Sequence, residues 1–337
     1  RGNIFIFGEN ILGGLMFGIG MTLASGCGNK CLIRIGGGNL KSIFVFAIIG
    51  LVSYFMLNPF PNSDKTLFSI LFYDWLRPIS IELSTNQDIA SLIPSENQST
   101  LRFFLGSIIG LVLLYFVFKS KEFRGNKDYW LGGLMVGLAV LFAWYLTANL
   151  SINADGDSLG LNEYHEQWDM FMDSDEKKPA SGATLSTQSF TFINPMGQTG
   201  AYLVKGFDTA LLTFGVMAVF DVTLGSFIWS LLSGSFKFEW FSSFSDFKNH
   251  IIGAILMGFG GTLALGCTIG QAISGISTLA LGSILTFLAI FVSTAMTMKI
   301  QYYRMVYESE ATFLKAFITG FVDLKLLPES FRKLKNI

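Results

Sequence analysis

Residues 11–27 read ILGGLMFGIGMTLASGC, and residues 251–267 read IIGAILMGFGGTLALGC. At an offset of 240, nine of 17 positions are identical: Ile11/Ile251, Gly13/Gly253, Gly18/Gly258, Gly20/Gly260, Thr22/Thr262, Leu23/Leu263, Ala24/Ala264, Gly26/Gly266 and Cys27/Cys267. Self-similarity at a fixed offset marks repeated architecture. Apolar composition alone yields some of these matches. It does not readily place a Gly-Cys pair at the end of both.

The chain around these copies has 337 residues, of which 51% are hydrophobic and 14% charged. Soluble domains carry about 25% charged residues, so the composition points to an all-α integral membrane protein. Helices are the expected spanning element, because the apolar stretches are long runs rather than alternating strands. They lie near 11–25, 42–57, 102–118, 131–150, 200–234, 251–265 and 283–298. The 36 glycines allow close helix packing in lipid. Three cysteines are too few for a disulfide framework, and their spacing fits no zinc site. No cofactor or metal motif is present, and a net charge of −1 gives no argument for nucleic acid.

Crossing a bilayer takes about 20 apolar residues. The runs 11–25 and 251–265 are shorter than that. Short, Gly-interrupted segments in matching positions of two halves point to a substrate site near the membrane midplane. The expected architecture is a multi-helix bundle within a single membrane transport domain, 1–337. It has inverted pseudo-symmetric repeats, one over about 8–57 and the other over about 250–298. Each repeat is expected as a re-entrant pair: a half-helix, a Gly-Cys loop and a second helix, with the two loops meeting centrally. The alternative is that each short segment simply crosses the bilayer.

Loop charge orients the bundle. Residues 119–128 hold four basic and two acidic residues, and 299–337 hold seven basic and four acidic. Residues 58–100 hold five acidic and two basic, and 151–200 hold eight acidic and two basic. The positive-inside rule places the first two in the cytoplasm, including the C-terminus, and the acidic stretches outside. Residues 151–199 read as a polar outside loop. His250, at the start of a cytoplasmic-side segment, reads as interfacial.

The stretch after the first Gly-Cys pair, GNKCLIRIGGGNLKS from Gly28 to Ser42, carries Lys30, Arg34 and Lys41. Ionisable residues at membrane depth are costly and are functional candidates by default. Glycine-rich turns and helix N-termini expose amides that bind anions. The second helix of the pair, beginning near Asn39 to Ser42, is the expected source of such an N-terminus. The competing reading is that Lys30 and Arg34 snorkel to headgroups of membrane lipid. A thiol is a weak donor and a polarisable partner, which suits Cys27 and Cys267 to a sulfur-containing substrate. Gly26, Gly28 and Gly266 flank them. The second loop adds only neutral groups, Thr268, Gln271 and Ser274. Cys31 falls outside the repeat and reads first as packing.

The stretches GCGNKCLIRIGGGNLKS (Gly26 to Ser42), GGTLALGCTIGQAISGISTLALGS (Gly260 to Ser283) and LSTQSFTFINPMGQT before Gly200 resemble the YeeE/YedE family of sulfur-transport membrane proteins. The resemblance covers most of the chain. It implies a helical, hourglass-shaped bundle in the inner (plasma) membrane whose cysteine loops hand thiosulfate inward, with Cys27 and Cys267 as the substrate-contacting thiols. A cytoplasmic sulfur-carrier protein of the TusA type is the partner that goes with such a reading. Three departures stand out. Ala272 replaces a frequent glycine, Cys31 stands where a hydroxyl residue is common, and no extra helical region with a further cysteine precedes Gly8.

The expected function is import of thiosulfate or a related small sulfur anion. A selenium-containing substrate is an alternative. So is a membrane thiol sulfurtransferase or oxidoreductase, which needs two thiols with Cα atoms within about 7 Å. A third reading is a non-transport subunit that binds a sulfur carrier through basic loops; it leaves the buried motifs without a role.

Overall fold

The computed structural model describes residues 3–154, 157–166, 187–208, 211–307 and 311–334. It is a helical bundle built from α1 (Phe7–Leu23), α2 (Gly28–Gly36), α3 (Leu40–Leu57), α4 (Gln98–Lys119), α5 (Lys127–Ala148), α6 (Ile193–Val204), α7 (Phe214–Leu232), α8 (Phe244–Leu263), α9 (Leu281–Tyr307) and α10 (Phe313–Asp323), joined by turns, shorter helical pieces and two-to-three-residue strands. Among the described residues, six helical stretches are long and apolar enough to cross a membrane, and one of them is the combined stretch Phe7–Gly36. Side-chain caps mark several starts: Asn39 accepts from Ser42 N, Thr213 from Val216 N and Ser243 from Asp246 N.

Glycine decides how the centre packs. A Cβ on Gly13 would lie 2.7 Å from Gly260 O, and one on Gly260 would lie 2.6 Å from Gly13 O. A Cβ on Gly20 would lie 2.6 Å from Gly253 O, and one on Gly253 would lie 2.6 Å from Gly20 O. Helices α1 and α8 are therefore antiparallel and in backbone contact, an approach that only small residues permit. The pairings are reciprocal in the 240-residue offset, since Gly13 and Gly20 correspond to Gly253 and Gly260. Helix α9 runs parallel to α1, with Ala289 against Gly14 and Ser293 against Gly18. Helix α3 runs parallel to α8, with Val52 against Gly258 and Ser53 Oγ 3.3 Å from Thr262 Oγ1.

The ends of these helices define two faces. On the first face, Ile4–Phe5 pairs with Ile81–Glu82, and a Cβ on Gly8 would press on Ile79. There Leu281 N also donates to Gln87 O at 3.0 Å, and Ile89 N to Leu279 O at 3.1 Å. On the second face, Leu40 N donates to Glu239 O at 3.0 Å, Lys237 N donates to Gly37 O at 3.0 Å, and Lys41 pairs with Asp246. The chain thus enters α1 on the first face, reaches the second face at Asn39 and returns through α3.

Further helix, not a plain loop, follows each Gly-Cys turn. Residues 7–57 do begin and end on one face, but the Gly-Cys turn is not the apex. Residues 28–36 form a helix of their own, and it carries the chain on to the far side. The same holds after α8, where a π-helical turn (Ile269–Gly275) and a 3-10 turn (Ile276–Thr278) lead to the first face. Each short apolar run is continued by the helical turn beyond its cysteine.

The stretch 151–199 also divides differently from its sequence reading. Residues 167–186 lie outside the described residues. From Gln188 onward the chain enters the core: Phe192, Ile193 and Met196 are fully buried or nearly so. Ser189 Oγ donates to Val140 O at 3.3 Å, and Ile193 packs on Gly261. The half-helix α6 then leaves alongside α3, with Gly197 against Tyr54. The apolar residues of FINPM are what draw this segment inward.

Candidate functional site

Two turns, each ending in a cysteine, occupy the middle of the bundle, and they are built alike. At the end of α1, Ala24 N donates to Gly20 O (2.9 Å), Ser25 N to Thr22 O (3.4 Å) and Gly26 N to Met21 O (2.8 Å). At the end of α8, Ala264 N donates to Gly260 O (2.9 Å), Leu265 N to Thr262 O (3.1 Å) and Gly266 N to Gly261 O (2.8 Å). Both are left-handed helix stops. The left-handed residues are Ser25 (φ 61°) and Leu265 (φ 57°), neither of them glycine. Such a conformation costs about 1–2 kcal/mol per residue, so strain is stored at equivalent positions of both turns.

Each cysteine then starts the next helical turn. Cys27 is the N-cap of α2, and its carbonyl accepts from Cys31 N at 3.0 Å. The Cys267 carbonyl accepts from Gln271 N at 2.8 Å, and its sulfur accepts from Gly270 N at 3.5 Å. The helix start nearest the first thiol is therefore that of α2, not the start of α3 expected from sequence. The amides that open these turns put partial positive charge beside the sulfurs. Cys267 and Cys31 belong to one apolar cluster with Phe17, Leu32, Ile193, Met196 and Met257, and half-buried Cys27 packs against it. Met196 and Ile193 lie against Gly28. A small cavity of about 160 Å³ is shared by Asn29 of α2 and Ile269 of the second turn, so the two short helical segments converge.

The remaining expected site residues separate into groups. Lys30 is exposed and Arg34 half-buried on α2, and among the described residues neither has a carboxylate within ion-pair distance. Lys41 is occupied by Asp246 at 3.1 Å. Asn39 caps α3 and donates to Glu239. These two hold the second face together rather than joining the turns. His250 is buried at the start of α8, where its Nδ1 lies 3.0 Å from Asp246 Oδ1. Cys31 donates its thiol to Ser42 O at 2.9 Å and packs in the core.

On the first-face side of the second turn lies a polar cavity of about 410 Å³. Gln188 and Thr191 line it from the segment leading into α6, Asn194 and Gln198 from α6 itself, and Gln271 and Ser274 from the π-helical turn. Gln271 Nε2 is held by Ala264 O, and Ser274 Oγ by Phe190 O at 2.9 Å. Thr191 Oγ1 is buried with no partner among the described residues and would lie 2.6 Å from a Cβ on Gly270. Thr268 starts the same turn. Among the described residues the arrangement offers neutral hydroxyl and amide donors to a small ligand and no carboxylate. Sequence reasoning missed Gln188, Thr191, Asn194 and Gln198 because their segment read as an outside loop. The signal that could have found them was the alternation of polar residues with FTFINPM.

The family model for sulphur transport matches residues 1–296. The chain belongs to the sulphur transport family. It is also similar to two proteins named thiosulfate transporter TsuA. One, from Spirochaeta thermophila, is 25% identical over 277 residues, covering 81% of this chain and 72% of the relative. The other, from Escherichia coli K12, is 25% identical over 268 residues, covering 78% of this chain and 66% of the relative. With its spanning helices, the family assignment makes this a multi-pass membrane transporter of sulfur compounds rather than an enzyme.

Proposed function

We propose that the protein imports thiosulfate, or a closely related small sulfur anion, along a central path through the two cysteine turns. The observation that carries this reading is the convergence of the turns. Two thiols at repeat-equivalent positions, Cys27 and Cys267, lie against one core cluster, each at the start of a helical turn. The anion's oxygens suit the turn amides and the hydroxyl and amide donors of the 410 Å³ cavity. Its terminal sulfur suits the thiols through S–H···S contact. The path runs from that cavity past Gly266 and Cys267 to Gly26, Cys27 and Gly28. It leaves at the second face near Lys30 and Arg34, whose charge favours an anion at the exit. We read residues 8–57 and 250–298 as inverted repeats, an assignment supported by the reciprocal glycine contacts. The basic second face is then cytoplasmic, with the C-terminus, and is where a sulfur-carrier protein of the TusA type would dock.

The test is uptake of labelled thiosulfate by the full-length protein in cells with no other route. Import is expected, with loss in Cys27→Ala and in Cys267→Ala. Sulfate should compete poorly, because it lacks the terminal sulfur. Uptake that survives both substitutions refutes the thiol role, and no uptake by the unaltered protein refutes the substrate.

A further inference from the structure

A second cavity, of about 500 Å³, lies between α3 and α6. Phe46, Gly50, Leu51 and Tyr54 line it from α3, and Gly200 and Val204 from α6. Its origin is simple. Gly197 lets α6 sit on the α3 backbone, 2.9 Å from Tyr54 N for an added Cβ, while Gly200 one turn on has nothing within 4 Å of its own. The two helices touch at Gly50, Tyr54 and Gly197, and a trough runs beside that contact toward Gly200 and Val204. Helix α3 has the length and apolarity of a spanning helix, so the trough opens onto hydrocarbon.

The charged group of the lining is at the end where α6 stops. Lys205 is exposed there, and among the described residues no carboxylate pairs with it. An apolar trough with one cation at its interfacial end matches a molecule with a long apolar chain and a negative head. We propose that this groove holds the acyl chain of one phospholipid, with its phosphate on Lys205. A packed helix from a second copy would have no use for the lysine at the rim. The site also touches the transport machinery. Helix α6, which forms one wall, begins with Ile193 and Met196, and these pack on Gly261 and Gly28 beside the two turns. A chain in the groove therefore braces the half-helix that supports both cysteines.

The full chain, extracted in mild detergent from vesicles of phosphatidylcholine doped with phosphatidylglycerol, tests this by native mass spectrometry. One retained phosphatidylglycerol per chain is expected. Gly200→Trp fills the trough without a clash, because the glycine faces open space, and should abolish retention. Lys205→Glu should lower phosphatidylglycerol retention by about fivefold, the worth of roughly 1 kcal/mol for one lysine at an anionic surface. Lys205→Arg should restore it. The proposal is overturned if the unaltered chain retains no lipid, or if Gly200→Trp retains as much as the unaltered chain. It is equally overturned if the unaltered chain is a lipid-free dimer that Gly200→Trp converts to a monomer, since the occupant would then be a second copy.

Discussion

Gly260→Ala should damage this protein although it adds a single methyl group and improves helix propensity. A Cβ at Gly260 would sit 2.5 Å from Phe17 N and 2.6 Å from Gly13 O. Ordinary contact between such atoms lies near 3.5–4.0 Å, so α1 and α8 would have to part by about 1 Å along their central crossing. Overpacking of this kind costs about 1–3 kcal/mol. The propensity gain of about 1 kcal/mol for replacing glycine by alanine offsets part of it. The obstacle is backbone on both sides, so no side chain can rotate away, and the upper end of the range applies. Gly110→Ala supplies the control. Gly110 is on α4, nothing lies within 4 Å of its added Cβ, and only the propensity gain remains. Thermal unfolding of the purified chain in detergent, followed by tryptophan fluorescence, should show a fall of several degrees for Gly260→Ala. Gly110→Ala should be unchanged or slightly raised. Adding Gly13→Ala to Gly260→Ala should cost less than the sum of the two, because one separation of the helices relieves both clashes. Equal behaviour of Gly260→Ala and Gly110→Ala would refute the close crossing.

Thiol labelling of the folded protein should modify Cys27 alone, because Cys31 and Cys267 are buried. Native labelling of Cys27→Ala would contradict this. Lys41→Asp should destabilise the second face by about 1 kcal/mol, the scale of a partly exposed ion pair. Combining it with Asp246→Lys should recover most of the loss in the same unfolding assay. The C-terminal segment should respond to acid through Asp323. Burial works against ionisation there, yet hydrogen bonds from Tyr303, Lys299 and Arg332 outweigh it and hold the carboxyl below its ordinary value. A depressed folded-state value stabilises at pH above the unfolded-state value, and the gain is lost as pH falls through the folded-state one. Hydrogen exchange over residues 313–334 should therefore rise only below about pH 4, the ordinary carboxylate range. In Asp323→Asn it should already be fast at neutral pH.

The membrane class, the helical content and the repeat that pairs Cys27 with Cys267 were legible in the sequence by itself. Hydrocarbon admits only segments that satisfy their own backbone, which demands long apolar runs, and a repeat shows wherever its residues are kept. The course of the chain past the cysteines was not legible. GNKCLIRIG, from Gly28 to Gly36, reads as a charged glycine-rich loop. Its helix is fixed by packing of Gly36 on α7, where an added Cβ would meet Thr223 O at 2.6 Å. Likewise Lys41 looked like a free cation until tertiary structure brought Asp246 to it, across 205 positions of sequence. Residues 187–199 read as loop because their polar side chains dominate the count. Only the assembled bundle offers Ile193 and Met196 a core to enter, and so turns Thr191 and its neighbours toward a cavity. Composition acts locally and sets what each segment must avoid. Partners from distant segments decide where each segment goes, because burial and charge pairing are settled only between surfaces that the fold has brought together.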